Sequence, residues 1–223
     1  NHEPKDDFLQ KVREIANKKG IILIFDECTS GFRETFGGLH KKYKIYPDIA
    51  IFGKSLGNGY AINAVIGKRN LMKFAEKTFI SSTFWTERVG PTAAVKTLEI
   101  MNRTKSWQKI TKTGKKIKKE WNRLANKYQL KIQISGLNSL CNFKIFSKNE
   151  QAYKTLITQE MLKKGYLASN VVYACTAHSD EIIDGYIFNL DKVFKLIKEC
   201  EDGRDIKKLL EGPVCTSGFS RLN

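Results

Sequence analysis

Ile21-Ile22-Leu23-Ile24-Phe25-Asp26, an apolar run closed by a carboxylate, is the stretch on which the fold class turns. A run with no polar alternation predicts a strand buried on both faces, as in a mainly parallel sheet sandwiched by helices, and hence an α/β architecture. Just upstream, Phe8, Leu9, Val12, Ile15 and Ala16 recur at helical spacing and stop at Gly20. Downstream, Asp48 to Phe52 and Asn63 to Gly67 read as two more short strands. Between them lies Gly53-Lys54-Ser55-Leu56-Gly57-Asn58-Gly59-Tyr60, too rich in glycine for a regular element.

Further along, Pro91 suits the first position of a helix running to about Asn102, because its missing N–H costs nothing there. Lys105 to Lys131 then carries ten Lys or Arg against the single acid Glu120. Its apolar residues (Trp107, Ile110, Ile117, Trp121, Leu124, Tyr128) make one helical stripe, so the lysines are read as the solvated face of a packed helix. Strands are expected at Leu130–Ile134 and Leu140–Phe146, followed by a helix opened by the capping box Ser147-x-x-Glu150 and closed at Gly165. A last amphipathic helix begins near Ser179, with Asp180 and Glu181 in its first turn and Ile182, Ile183, Tyr186, Ile187, Leu190, Phe194 and Ile197 on one side. The pattern divides the chain into residues 1–104 and 105–223, the second part being a linking helix and a smaller α+β domain.

With 223 residues, 41% of them hydrophobic, the chain can bury a real core, and no apolar run approaches the roughly 18 residues that a membrane span requires. The five cysteines (Cys28, Cys141, Cys175, Cys200, Cys215) are scattered and lack C-x-x-C spacing, which disfavours a disulfide framework and a metal site and fits a cytoplasmic protein. The net charge of +16 raises the question of nucleic acid. No aromatic-interleaved basic loop accompanies it, so a nucleic-acid partner is not expected. Asn1 begins the chain without an initiator Met or a secretory layout, and is expected to be an internal cut or a processed start.

Two residues stand out chemically. Asp26 is a carboxylate at the C-terminal end of a strand, where open α/β sheets place ligand-binding groups; taken alone it also reads as a turn or capping aspartate. Lys54 is a glycine-flanked lysine in a loop between two strands, whereas most lysines occupy helix surfaces; taken alone it also reads as a solvated surface charge. Ile24-Phe25-Asp26-Glu27-Cys28-Thr29-Ser30-Gly31-Phe32-Arg33, then Pro47-Asp48-Ile49, then Gly53 to Ile62, resemble in order and spacing the signature of the class III aminotransferases, which depend on pyridoxal 5'-phosphate (PLP). The likeness is nearest to the branch containing glutamate-1-semialdehyde 2,1-aminomutase. Ser81-Ser82-Thr83-Phe84 with Gly90-Pro91-Thr92-Ala93-Ala94, and Ala177-His178-Ser179-Asp180-Glu181-Ile182-Ile183-Asp184, resemble two later blocks of the same family, so the likeness extends over nearly the whole chain.

The resemblance implies the C-terminal half of a fold type I PLP enzyme, with residues 1–104 in the cofactor-binding large domain. It implies Lys54 as the Schiff-base lysine and proton-moving base, and Asp26 as the carboxylate beneath the ring nitrogen. Cys28 would pack on the ring, where the family usually has valine, and Thr83 with Ser82 would hold the phosphate from the neighbouring subunit. Thr29 stands where many relatives place a glutamine that contacts the cofactor hydroxyl. Arg33 is read as a structural ion-pair residue rather than a substrate-carboxylate contact, and His178 as structural. Implied partners are a small-molecule amino donor and oxo acceptor, and a second copy of the chain in a homodimer with the cofactor at the interface. The phosphate-binding turn, the stacking aromatic and the substrate-choosing segment are expected upstream of Ile21. Amino-group transfer is the leading activity, with 1,2-amino migration as the alternative and a non-catalytic basic scaffold as the reading from a different class.

Overall fold

In the computed structural model, residues 3–81, 83, 84, 86–216 and 218 are described, and the chain divides into two compact units between Thr111 and Lys112. In the first unit, helix α1 (Phe8–Lys19) ends at Gly20, whose left-handed φ of 65° lets its N–H turn back onto the carbonyls of Ala16 and Asn17. Strand β1 (Ile24–Asp26), the short helix α2 (His40–Tyr43), β2 (Ile49–Phe52) and β3 (Ala64–Gly67) follow. β1 lies parallel to β2, with Ile24 opposite Ile49 and Asp26 opposite Ile51. β3 runs antiparallel to β2, because the link through a 3₁₀ turn (Lys54–Leu56) is too short for a parallel crossover. Helix α3 (Arg69–Met72) and helix α4 (Val89–Thr104) complete the unit, and α5 (Ser106–Lys127) begins in it. The core is small: Ala50, Phe52, Leu56 and Ala94, flanked by Phe32, Ile62, Ala64 and Leu98.

Two expectations for this unit are corrected. β1 is not buried on both faces, for Ile21, Ile22 and Ile24 are 56%, 50% and 51% exposed. Among the described residues the sheet order is β1-β2-β3, and nothing pairs with the outer side of β1. α4 starts at Val89, two residues before Pro91, because the Glu87 carboxylate accepts the Val89 N–H at 2.7 Å and the Gly90 N–H at 3.3 Å. Pro91 still lies within the first turn, where no N–H is needed.

The second unit is built on a larger core. α5 continues into it, followed by β4 (Ile132–Gly136), β5 (Leu140–Ile145), α6 (Glu150–Leu162), β6 (Val171–Tyr173) and α7 (Asp180–Glu201). The three strands form an antiparallel sheet in the order β4-β5-β6. Ile117, Trp121 and Leu124 of α5, Phe143 of β5, Tyr153 and Leu156 of α6, and Leu190 and Phe194 of α7 all belong to one buried cluster. Trp121 donates its Nε1–H to the Tyr186 hydroxyl at 2.9 Å, so the one polar atom of its ring is satisfied inside that cluster. On the outer face of α5, Lys116 pairs with Asp180 and Asp184, and Lys127 with Asp191, so part of the basic stripe is neutralised by α7.

Ser179 caps α7 as expected, accepting the Ile182 N–H at 3.3 Å. The capping box at Ser147 does not form. Its hydroxyl accepts the Asn149 N–H and donates to Glu201 at 2.8 Å, while Glu150 pairs with Lys144, so tertiary partners capture both members. All five cysteines are free thiols, and burial pushes the Cys141 thiol up to about 11. Among the described residues no helix is long and apolar enough to cross a membrane.

Candidate active site

The site begins where β1 ends. Asp26 accepts the Cys28 N–H on Oδ1 at 2.9 Å, and its other oxygen has no partner among the described residues. Successive side chains of a strand point to opposite faces, so Glu27 turns inward where Asp26 turns out. Glu27 is 4% exposed, and a carboxylate at that depth is tolerated only when its oxygens are occupied. It accepts from Ser30 Oγ at 2.8 Å, the Leu39 N–H at 2.6 Å and the His40 N–H at 2.8 Å, and meets His40 Nδ1 at 2.8 Å. Gly31 closes the turn. A Cβ there would fall 2.7 Å from Phe52 Cδ1 and 2.8 Å from the Glu27 carbonyl oxygen, a distance real side chains do not adopt.

The neighbouring strand β2 delivers Lys54 through Gly53. A Cβ on Gly53 would lie 2.4 Å from Asn63 Oδ1 and 2.8 Å from Cys28 Sγ, so glycine is needed for this close approach and the Cys28 thiol packs against it. Lys54 itself has φ of 41°, a left-handed conformation that costs a residue with a Cβ about 1–2 kcal/mol. Its Nζ donates to Thr29 Oγ1 at 2.5 Å, and the Thr29 carbonyl accepts Arg33 Nε at 2.9 Å. A cleft of about 1040 Å³ opens beside Lys54, lined among others by Arg33, Asn58, Tyr60, Phe84 and Glu87.

Behind the site, Asp48 at the head of β2 is 7% exposed and accepts from the Leu23 N–H, Arg13 and Lys68. The Leu23 N–H above all, then Lys68, holds its carboxyl well below the usual carboxylate range, with Arg13 adding and burial opposing. Asp48 thereby ties α1, the residues before β1 and the start of β2 together.

The fold brings Asp26, Cys28, Thr29 and Lys54 to the C-terminal ends of two adjacent parallel strands, since the Glu27 N–H donates to the Ile51 carbonyl at 2.8 Å and Lys54 follows three residues after Ile51. Asp26 does not line the Lys54 cleft. Thr83 is exposed in the turn before α4, where its neighbour Phe84 reaches the cleft, and Ser82 lies outside the described residues. The Thr29 hydroxyl, placed where a glutamine amide was expected from the resemblance, engages Lys54. Arg33 lines the cleft as well as bracing the turn, and His178 Nδ1 faces the Cys175 N–H at 3.4 Å in the other unit. Sequence reasoning missed Glu27 and Glu87. For Glu27 the signal was present, because strand alternation puts the second acid of an Asp-Glu pair on the inner face. Glu87 carried none, since its role depends on where α4 starts.

A family model described as Aminotransferase class-III matches residues 2–185. The 3-aminobutyryl-CoA aminotransferase of Cloacimonas acidaminovorans (strain Evry) is 36% identical over 187 residues, covering 80% of this chain and 44% of that protein. The glutamate-1-semialdehyde 2,1-aminomutase of Methanocaldococcus jannaschii is 29% identical over 211 residues, covering 86% of this chain and 49% of its own length. Among solved structures, the FumI protein of Sphingopyxis sp. MTA144, solved in a PLP form, superposes with a TM-score of 0.80 at 20% identity over 92% of this chain and 50% of that one, which shows the shared fold. The chain spans about half the length of the curated relatives it matches. With the family model matching most of its length, the chain belongs to the class III aminotransferase family.

Proposed function

We propose that this chain carries the lysine-bearing half of a PLP-dependent amino-transferring site, acting on an amino acid or amine with an oxo acid or aldehyde as partner. The observation that carries the reading is Lys54, held left-handed at the end of β2 beside a cleft, with Asp26 at the end of the adjacent parallel strand. PLP fits this donor set: an amine reaches the cleft, a carboxylate oxygen stands unpartnered among the described residues, and the small Cys28 thiol packs against Gly53. When bound, PLP supplies an aldehyde for amine exchange and a ring that accepts the electron pair left by C–H cleavage.

In this reading Lys54 Nζ would be the amine that holds the cofactor and, when free, the base that moves a proton to and from the substrate carbon. Asp26 would hold the ring nitrogen, Cys28 would pack on the ring, and Thr83 with Ser82 would hold the phosphate of the neighbouring subunit's cofactor. Residues 1–104 form part of the cofactor-binding domain and 105–223 the linking helix and small domain. The assembly is a homodimer, a reading supported by Phe74, Phe79 and Phe84, which are 67%, 94% and 60% exposed in the segment leading to α4. A cytoplasmic location accords with five free thiols.

The test adds PLP to the full-length protein, reads the visible band, and reduces with borohydride to fix the cofactor's mass on the peptide holding Lys54. Lys54→Ala is expected to abolish both signals, and a retained, reducible band in that variant overturns the assignment. The Methanocaldococcus relative favours a second reading, a 2,1-aminomutase. Turnover without any amino acceptor supports the mutase, and strict dependence on an oxo acid supports the transferase.

A further inference from the structure

We propose that Thr29 is a positioning residue for Lys54, its hydroxyl holding the lysine amine in place on the strand-end turn. The inference rests on the functional reading above and adds a residue that the resemblance assigns otherwise, as the substitute for a glutamine. Thr29 Oγ1 accepts the Lys54 Nζ hydrogen bond at 2.5 Å. A threonine hydroxyl both donates and accepts, so the contact survives whether the amine presents three hydrogens or a lone pair. An amine that must exchange protons during turnover therefore keeps the same partner.

The hydroxyl can act as an anchor because the turn that bears it is braced on every side. Arg33 Nε holds the Thr29 carbonyl at 2.9 Å, and the Cys28 N–H is held by Asp26 at 2.9 Å. Ser30 Oγ donates to Glu27 at 2.8 Å, and the Gly31 N–H donates to the Glu27 carbonyl at 2.8 Å. Glu27 in turn grips the backbone at Leu39 and His40. A long lysine side chain has several rotatable bonds, and one fixed acceptor at its tip reduces the orientations the amine samples. The same bracing places Arg33 at the cleft wall beside Lys54.

The experiment follows adduct formation at Lys54 in the full-length protein over a range of PLP concentrations, by visible absorbance and by the mass of the borohydride-reduced peptide. Thr29→Val is expected to lower the limiting first-order rate about tenfold, the loss of roughly one hydrogen bond to an ionisable group. The half-saturating PLP concentration is expected to stay unchanged, and Thr29→Ser to stay within about twofold of wild type because it keeps the hydroxyl. Thr29→Ala makes the same deletion if the valine variant does not fold. A wild-type rate in the valine or alanine variant overturns the inference, as does a serine variant as slow as valine. A raised half-saturating concentration with an unchanged limiting rate also overturns it, because that marks a cofactor contact. An adduct on another lysine in the wild-type protein overturns the functional reading itself, which separates the two failures.

Discussion

At the scale of single residues, three carboxylates of similar sequence context play different parts. Asp26 is exposed and half-occupied, Glu27 is buried and fully engaged, and Asp48 is buried between two cations. Because the folded state depresses the Asp48 proton affinity, its stabilisation is complete above about pH 4, the unfolded value, and fades as pH falls from there toward the lower folded value. Asp48→Asn is expected to cost about 2–3 kcal/mol at pH 7 and to flatten the acid limb of stability below about pH 4 in urea titrations. An acid limb as steep as wild type would show that other carboxylates set it. For Glu27, the glutamine variant turns an amide N–H₂ toward donors at Leu39, His40 or Ser30. Glu27→Gln is expected to lose about 2 kcal/mol and to speed hydrogen exchange at the Leu39 and His40 amides, which nuclear magnetic resonance reads directly.

At the scale of elements, helix α5 shows packing overriding propensity. Gly114 sits in its interior, where alanine alone would favour the helix by about 1 kcal/mol. A Cβ there, however, would lie 1.6 Å from the Asn138 carbonyl oxygen, a backbone atom that no rotamer change can move aside. Overpacking of this kind costs about 1–3 kcal/mol or more, so Gly114→Ala is expected to lower the melting temperature by roughly 4–8 °C, and a rise would refute the close approach. Ser179→Ala, which removes the α7 cap, is expected to cost about 1 kcal/mol in chemical denaturation.

At the scale of the whole molecule, burial is unevenly distributed. The unit from Lys112 onward holds one large cluster including Trp121, Phe143, Leu156, Leu190 and Phe194, whereas the core cluster of the first unit has four buried residues and Ile24 of β1 is exposed. In this chain, amides of β5 and α7 are therefore expected to outlast those of β1 to β3 in native-state hydrogen exchange, and equal protection would contradict that ranking. The sequence by itself determined the elements whose signal is local. Glycine can take the left-handed φ at which α1 stops, the apolar stripes of α5 and α7 repeat over many turns, and the glycine-flanked Lys54 stands between two short strands. It also singled out Lys54 and Asp26, through the order and spacing of the blocks that resemble the class III aminotransferase signature. Tertiary structure alone decided the rest. Only in the fold does β2 come to lie between β1 and β3, because sheet position depends on which strands lie beside it. Ser147 leaves its capping box for Glu201, fifty-four positions away, and β6 forms from three residues because β5 offers it a partner. The Thr29 hydroxyl meets Lys54 across two strands for the same reason: a contact between residues far apart in sequence has no local pattern to announce it.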